Sequence, residues 1–584
     1  MNREFDPVVV EIVQNELAAI TEEMAIVIWR TGQSAMMKAG DFATAVCDSA
    51  GRVVGQGFAA PMQLAIFDEL LKNVLARYGS DFSQGDVIIT NDPYAGMTHM
   101  PDIAVVVPVI VDRRVGAFCV AYSHHSDVGG RLPGSSSSEC RTSYEEGIRI
   151  PILKLANPLS QDDPVFSLVR ANVRVPDEWQ SDMHAKVAGC LKGAEQAERL
   201  IRSYGWEAYE SACNHVIDHA CQSTRAAIAQ VPDGVFHAEY VLPDDEKGGA
   251  DIVLKLALKV SGDRITVDFT GSSDQVDLAL NSPLTMTKAA VSSALKTIIG
   301  PDLPMNRGFS EPIEVIAPAG TVLNPIFPGA TGGRAAVFYG IFDVVNRALA
   351  AAMPNRVPVI GEGADLLHYS GRTDSGEEFA FIDLFYGGWG ARPTKDGIDG
   401  VAPVFLGSYG CASAELLEAE YPVILDRFGF EPDSAGAGKY RGSVAVSRQW
   451  RFRSAGHAML RSVRLGPPPA FEGGSPGAIP RTRFVHRGKS SDLELKTHVH
   501  LKVEAGDQIF HSTAGAGGYG DPFTRRPELV QADYRAGLVT RAGALHQFGT
   551  YLKADGDIDH EETQAARDAS VSTLLPAKSV ELKN

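Results

Sequence analysis

The chain has 584 residues and a formal net charge of -18, with 44% hydrophobic and 22% charged residues. These values are ordinary for a multi-domain globular protein, and the acidic balance argues against nucleic acid or an anionic membrane surface as a partner. Seven cysteines without a CxxC pair indicate free thiols in a reducing compartment. The N-terminal residues lack a basic signal-peptide region, and no apolar run is long enough to span a membrane. The sequence therefore predicts a cytoplasmic protein.

The first part of the chain predicts helices around a sheet. Apolar residues at helical spacing predict an amphipathic helix over residues 8–31. Two β-rich runs around a turn at Asp48 to Gly51 predict a hairpin. A further helix is expected over 61–79, closed by a glycine. Three apolar strands should follow in one sheet, at 85–92, 103–111 and 115–125.

The predicted secondary structure of the remaining chain changes from helical to strand-rich near residue 231. Two long helices are expected over 177–229, then strands over 235–270, two more helices, and a strand- and glycine-rich region to about 521. We predict a mixed α/β (α+β), multi-domain fold with several mixed sheets and flanking helices. The expected domains are a metal-bearing α/β domain, a strand-rich domain that completes the pocket and a partner interface, and a C-terminal helical segment with a loosely held polar tail, at 1–230, 231–525 and 526–584.

One loop concentrates side chains that can carry chemistry. "NDPYAGMTHMPD" at 91–102 places His99 and Asp102 three residues apart, just before an apolar strand. "AYSHHSDVGG" places His124, His125 and Asp127 at the end of a strand expected to lie beside it. Imidazoles and carboxylates are ligands for Zn²⁺ or Mn²⁺.

Strand geometry limits which of these candidate ligands can share one metal ion. Because consecutive strand side chains point to opposite faces, only one of His124 and His125 should face the same centre as His99. Asp41 opens an upstream strand, from which its carboxylate could reach the same pocket. Polar loop residues and one buried, hydrogen-bonded histidine would give the same pattern without a metal, and the spacing alone leaves both interpretations open.

Two glycine-rich stretches superficially match nucleotide-binding motifs. "GAGGYG" at 515–520 satisfies GxGxxG, but "DPFTRRPEL" follows it and opens no helix for a pyrophosphate. "DSAGAGKYRG" at 433–442 lacks the first glycine and the Ser or Thr of a P-loop. We therefore expect no nucleotide site on this chain.

Seven phrases occur in an order similar to that of a known family. They are "NDPYAGMTHMPD", "SHHSDVGGRLPGS", "EEGIRIP", "DFTGSSDQV", "PMNRGF", "YPVILDRFGFEPDSAGAGKYRG" and "GAGGYGDP". The phrases lie between residues 91 and 522, and the chain from about residue 41 to 522 resembles the hydantoinase B/oxoprolinase family. Many relatives have "PVHLG" where this chain reads "PMQLAI", with Gln63 and Ala65 at the His and Gly positions, so we carry no role onto residue 63.

The resemblance implies a B-type subunit of an ATP-dependent enzyme. Such enzymes open cyclic amides (lactams, hydantoins or 5-oxoproline) or carboxylate ketones. An A-type subunit, an actin-like ATPase, would bind ATP-Mg as the partner, in a heterotetramer with two copies of each subunit. The resemblance also implies a divalent metal on this chain, Zn²⁺ or alternatively Mn²⁺, with Asp41, His99, Asp102 and His124 as ligands.

These expectations give a first hypothesis and two alternatives. In the first, a water activated by the metal attacks a cyclic amide that the A-type subunit has phosphorylated, and His125 or Asp127 orients ligands or moves a proton. In the second, the chain belongs to an acetophenone-type ketone carboxylase that uses bicarbonate. In the third, it is a non-catalytic scaffold for the ATPase subunit.

Overall fold

The computed structural model describes residues 7–57, 66–135, 139–243, 250–404, 406–407, 409–494 and 496–573. Within these ranges it contains 14 α-helices and 19 strands in four sheets, which confirms the predicted mixed α/β, multi-domain class. Gln63 and Ala65 lie outside the described residues.

The described helices occupy every segment that was predicted to be helical and several that were not. They are α1 Pro7–Thr31, α2 Ala35–Ala39, α3 Ile66–Tyr78, α4 Ser143–Glu146, α5 Pro164–Arg170, α6 Pro176–Tyr204, α7 Trp206–Ile228, α8 Leu284–Ile299, α9 Arg307–Ser310, α10 Ala335–Ala352, α11 Ala414–Glu420, α12 Pro527–Arg535, α13 Arg541–Phe548 and α14 His560–Thr573.

Most of the strands follow apolar runs of the sequence. They are β1 Phe42–Asp48, β2 Val53–Gln56, β3 Ile88–Thr90, β4 Asp102–Val111, β5 Arg114–His124, β6 Leu153–Lys154, β7 Gly234–Leu242, β8 Ile252–Ser261, β9 Arg264–Asp268, β10 Ile313–Ile316, β11 Ala364–Arg372, β12 Glu378–Tyr386, β13 Val423–Glu431, β14 Ala445–Phe452, β15 Gly456–Arg461, β16 Arg481–His486, β17 Lys489–Asp492, β18 His498–Val503 and β19 Gln508–Ser512.

The first sheet is buried on both faces. Its strand order is β2-β1-β5-β4-β3-β6, and every neighbouring pair is antiparallel. Val105 and Val107 of β4 pack in a core with α1, α6 and α7, whereas Ala104 and Val106 pack against α3 on the other side. This alternation follows from the two-residue repeat of a strand, so each position of β4 and β5 is assigned to one face.

Three further sheets form the second part of the chain. The second has the order β10-β9-β8-β7 and packs against α8 and α10; its β9–β10 pair is parallel. The third, β12-β11-β15-β18, and the fourth, β13-β14-β19-β16-β17, share an aromatic-rich core that includes Tyr369 and Trp450. The other face of the third sheet lines the cavity of the candidate site.

Helix α10 is long and apolar enough, by length and composition, to cross a bilayer. Its 18-residue window has a mean hydropathy of 1.3, and 72% of that window is buried inside the protein. The helix packs against α8 and the second sheet, and it carries the buried Asp343 that pairs with Arg464. Its apolar character is therefore that of a core helix.

The two glycine-rich phrases pack against each other. Gly436 donates its backbone N–H to the Ala516 carbonyl oxygen (2.8 Å), and Tyr440 and Tyr519 form an antiparallel bridge. A Cβ at Gly515 would stand 1.8 Å from the Ser434 carbonyl oxygen. Glycine is required here by close backbone contact.

The C-terminal segment corrects one expectation. The polar tail expected to be loosely held contains α14, and its Arg567 donates to the carbonyl oxygens of Arg525 (2.7 Å) and Phe548 (3.1 Å). Thr563 also accepts a hydrogen bond from the Tyr551 backbone (3.0 Å). Hydrogen bonds rather than an apolar face hold this helix, so hydrophobic periodicity could not reveal it.

Candidate metal centre

The loop at 91–102 is fixed by a buried asparagine and a tight turn. The Asn91 amide donates to the carbonyl oxygens of Met100 (2.8 Å) and Ile148 (2.9 Å), and its oxygen accepts from the Ile150 backbone. Gly96 has φ +106°, and a Cβ there would lie 2.7 Å from the Leu70 Cα. These contacts fix the conformation of the loop and hence the position of His99 beside the sheet.

Strand register places the other two residues beside His99. Asp102 is the first residue of β4, His124 is the last of β5, and the two are directly opposite each other. Both lie on the face of the sheet that α3 covers, because Ala104 and Tyr122, two residues away, pack there. Directly opposed residues in an antiparallel pair bring their side chains close together.

Three ligand atoms converge in a near-equilateral triangle. His99 Nε2 lies 3.1 Å from Asp102 Oδ1 and 3.1 Å from His124 Nδ1, and His124 Nδ1 lies 3.2 Å from Asp102 Oδ1. Ligand atoms around a tetrahedral ion with bonds of about 2.0–2.1 Å are separated by about 3.3 Å. All three residues are buried, and within the described ranges they form the one group of His, Cys, Asp and Glu with such spacing.

The protonation states suit a cation. Burial, reinforced by the positive charge of Arg334, lowers the pKa of His99 to about 3, so its imidazole is neutral at pH 7. Burial works to raise the pKa of Asp102, but His99, His124 and Arg334 outweigh it and hold that pKa well below its usual value. Imidazole nitrogens and a carboxylate are the donor set that Zn²⁺ or Mn²⁺ accepts. The residues present therefore fit a divalent metal.

Asp41 joins the same cavity, outside the triangle. Its backbone carbonyl oxygen accepts from the His124 N–H (3.2 Å), which places the residue opposite His124 in the sheet. Its side chain accepts a hydrogen bond from the Tyr409 hydroxyl. Burial raises the pKa of the Asp41 carboxyl, although His124 pulls it down.

Arg334 and Thr98 hold the second oxygen of Asp102. The Thr98 hydroxyl donates to Oδ2, and the Arg334 guanidinium lies 3.2 Å from the same atom. Arg334 immediately precedes α10 and is 232 residues from Asp102. Groups that orient a ligating carboxylate in this way tune its basicity and geometry. Sequence reasoning missed Arg334 because no local pattern links it to the loop.

His125 or Asp127, whichever faced the pocket, was expected to orient ligands or move a proton, but neither residue lines the cavity. His125 lies on the opposite face, where its Nε2 is 2.8 Å from the Lys186 Nζ and its ring packs on Trp179. Asp127 is buried and accepts from the backbone of Gly129 (3.0 Å) and from Arg174 (2.8 Å). The alternation of side chains along a strand explains why His125 lies on the opposite face. The hydrogen bonds of Asp127 fix the loop that follows β5.

The triangle opens into a cavity between the two parts of the chain. The first part contributes Met36, Asp41, His99, Asp102, Tyr122 and His124, and the second contributes Arg334, His368, Tyr409 and Arg461 among others. Tyr339 lines both this cavity and a larger one of ≈ 450 Å³ that also includes Trp389. A site at such a junction is a usual position for a ligand pocket.

Residues 6–522 match the model of the hydantoinase B/oxoprolinase family. The chain belongs to the hydantoinase B/oxoprolinase family. It is 28% identical to the B-type subunit of a putative D-/L-hydantoinase from Pseudomonas sp. (strain NS671), over 97% of this chain and 98% of the relative. It is 27% identical to the beta subunit of the caprolactamase from Pseudomonas jessenii, over 97% of this chain and 99% of that one.

Solved structures show the same fold. The ATP-dependent caprolactamase from Pseudomonas jessenii superposes with a TM-score of 0.86 at 25% identity, covering 97% of this chain and 100% of the other. A nucleotide-free acetone carboxylase has a TM-score of 0.87 at 19% identity, covering 99% of this chain and 84% of the other. At that lower identity the likeness concerns the fold alone.

Proposed function

We propose that this chain is the metal-bearing B-type subunit of an ATP-dependent hydrolase of cyclic amides, such as lactams, hydantoins or 5-oxoproline. The observation that carries the proposal is the buried triangle of His99 Nε2, Asp102 Oδ1 and His124 Nδ1 at the junction of the two parts of the chain. Family membership supports the reaction class, because relatives named hydantoinase and caprolactamase match along almost their whole lengths.

The chain's own residues have distinct roles in this proposal. His99, Asp102 and His124 bind the divalent ion, Zn²⁺ or alternatively Mn²⁺, and Asp41 lies beside them to complete the ligand set. When bound, such an ion supplies a Lewis acid that can bring the pKa of a water to about 7. Arg334 and Thr98 orient Asp102 through its Oδ2 atom. His125 and Asp127 support the site from behind and do not contact the substrate.

The ATP-dependent step belongs to a partner in this proposal. An unstrained amide is a poor electrophile, and the chain carries no nucleotide motif. An A-type ATPase subunit would bind ATP-Mg and phosphorylate the amide, and the cavity beside the metal triangle would then receive the activated substrate. We propose a heterotetramer with two copies of each subunit, located in the cytoplasm.

A ketone carboxylase subunit is the alternative that a specific observation favours. The acetone carboxylase structure shares this fold over 99% of the chain. In that reaction bicarbonate would be a substrate, and the product would keep the carbon skeleton of the ketone and gain a carboxylate. The two reactions differ in every reactant except ATP, so their products distinguish them.

The test is a product assay on the complex of this chain with its A-type partner. The complex is incubated with ATP and either ε-caprolactam, hydantoin or 5-oxoproline, or with ATP, bicarbonate and acetophenone, and products are identified by mass spectrometry. We expect ATP-dependent formation of a ring-opened amino acid or carbamoyl amino acid. Carboxylation of the ketone without amide opening would support the alternative.

A matched pair of variants tests the site itself. His99→Ala removes one ligand of the triangle, whereas His219→Ala changes an exposed histidine of α7. We expect turnover and bound metal to be lost in the first variant and retained in the second. Unchanged turnover in His99→Ala would instead support a non-catalytic scaffold.

A further inference from the structure

The wall of the cavity that faces the metal triangle is one face of the third sheet. On that face, Leu366 of β11, Arg461 of β15 and His498 of β18 lie side by side, and His368, Met459 and His500 form the next row. Leu366, His368, Met459 and Arg461 all line the cavity. Arg461 and His368 are diagonal neighbours on adjacent strands, about 7–8 Å apart at Cα and within reach of one ligand.

Arg461, which is half-buried, differs from three buried arginines in the second part of the chain. Arg334, Arg448 and Arg464 each form an ion pair with a carboxylate: Asp102, Asp383 and Asp343. Arg461 has no such pair within the described residues. Its one hydrogen bond there is a long one, from Nη2 to the Ala364 carbonyl oxygen (3.4 Å), and its Nε has none.

The nearest candidate counter-ion within the described chain is engaged elsewhere. Asp365 sits on the opposite face of β11, where its Oδ1 accepts from the Val463 backbone (3.0 Å) and its Oδ2 lies 2.8 Å from His511 Nε2. A guanidinium that is partly withdrawn from water and has no counter-ion is under-compensated, because it has lost part of its hydration and gained no Coulombic attraction. Such a group points to an anion that arrives from outside the chain.

His368 supplies a second, independent indication. Its side chain is fully buried, lines the cavity, and has no hydrogen-bond partner on either ring nitrogen. Burial lowers its pKa to about 3, so the ring is neutral and offers one N–H donor and one acceptor. Buried polar atoms are normally paired, so two unpartnered nitrogens on a residue that lines a cavity indicate a missing ligand.

We propose that Arg461 and His368 form an oxyanion subsite that holds a carboxylate or phosphate group of the substrate opposite the metal ligands. Arg461 donates charge-assisted hydrogen bonds in the planar geometry that these anions accept, and His368 adds one further donor. This subsite deepens the proposed function by giving the substrate a negative charge. The charge is either the substrate's own carboxylate or a phosphoryl group transferred to it.

Anion binding can be tested without turnover. Phosphate and acetate are titrated by calorimetry into the full chain after chelator treatment, for the wild type and for Arg461→Met. Arg372→Met is the matched control, since Arg372 is an exposed arginine on β11 that pairs with Glu378. We expect the wild type and the control to bind at least one anion, and Arg461→Met to bind it about 10- to 100-fold more weakly.

The two anions identify the source of the charge. Binding of phosphate but not acetate assigns the subsite to a transferred phosphoryl group, and binding of acetate assigns it to a substrate carboxylate. Absence of binding in the wild type, or equal affinity in Arg461→Met, would overturn the proposal. The metal-free protein is used, so the result is independent of whether the metal centre and the amide hydrolysis proposed above are correct.

Thermal unfolding separates a binding role from a structural one. If Arg461 serves an anion, Arg461→Met removes a half-buried charge that has no counter-ion, and the melting temperature of the anion-free chain should be equal to or above that of the wild type. Added phosphate should then raise the melting temperature of the wild type but not of the variant. A lower melting temperature in Arg461→Met than in Arg372→Met would show a structural role and overturn the assignment. His368→Phe, which keeps a planar ring without donors, should weaken anion binding without lowering the melting temperature.

Discussion

Replacing Thr98 by valine tests whether the support behind Asp102 sets the metal affinity. The substitution is nearly isosteric and removes the hydroxyl that donates to Asp102 Oδ2, while the Arg334 guanidinium at 3.2 Å stays in place. It changes no charge, so it does not alter the Coulombic repulsion between Arg334 and a bound cation. It also removes the hydroxyl oxygen that accepts a hydrogen bond from Arg334 Nη2 (3.1 Å), so the Asp102 carboxylate is perturbed both directly and through Arg334.

The expected loss of metal affinity depends on which hydrogen bond to Asp102 Oδ2 remains. A hydrogen bond to a charged group contributes about 1.5–3 kcal/mol, and loss of a group that orients a metal ligand typically weakens metal binding 10- to 100-fold. Because Arg334 still holds Oδ2, we expect the lower end of this range, about tenfold or about 1.4 kcal/mol. Arg334→Met removes the charged partner as well, so its effect combines lost orientation with relieved repulsion and is harder to interpret.

The assay is competition with a chromophoric chelator for Zn²⁺ or Mn²⁺. Thr98→Ser is the matched control, since it keeps the hydroxyl and loses only the methyl group. We expect Thr98→Ser to bind within about twofold of the wild type and Thr98→Val about tenfold more weakly. Equal affinities in the two variants would refute the view that Thr98 acts through Asp102.

Two further outcomes are expected. Burial raises the pKa of Glu146 to about 7 from 4.5, so the stability it contributes is present below about pH 4.5 and is lost as the pH rises through 7. Glu146→Gln should therefore gain stability relative to the wild type between pH 5 and 8, by up to about 3 kcal/mol in denaturant unfolding; a pH-independent difference would contradict this. His125→Phe should retain the metal but lose about 1–3 kcal/mol of stability, because it removes a partner of the buried Lys186 amine. Loss of metal in that variant would place His125 nearer the site than the structure does.

The triangle of His99, Asp102 and His124 was largely predictable because these residues lie close together in the sequence. His99 and Asp102 share one loop, and His124 ends a strand whose apolar run is unmistakable in the sequence. Strand alternation also implied that His124 and His125 face opposite sides, although it could not say which faced inward. The register of β4 against β5 resolves this, since it places His124 opposite Asp102.

The far side of the cavity could not be predicted in the same way. Arg334, His368 and Arg461 come from a helix start and two strands that are separated by up to 127 residues and meet the first sheet only in the folded chain. Each residue stands in an ordinary local sequence, so no spacing rule identifies it. Their common property is that each lines the cavity, either without an obvious partner or beside Asp102, and this exists only in three dimensions.

The measurement that tests the metal centre most directly is the metal content of the purified chain, by plasma mass spectrometry, in the wild type and in Asp102→Asn. Each protein is then assayed with the A-type partner for ATP-dependent ring opening. We expect close to one Zn²⁺ or Mn²⁺ per chain in the wild type, and loss of both metal and turnover in the variant. A wild type without metal, or a variant that turns over normally, would contradict a metal centre at His99, Asp102 and His124.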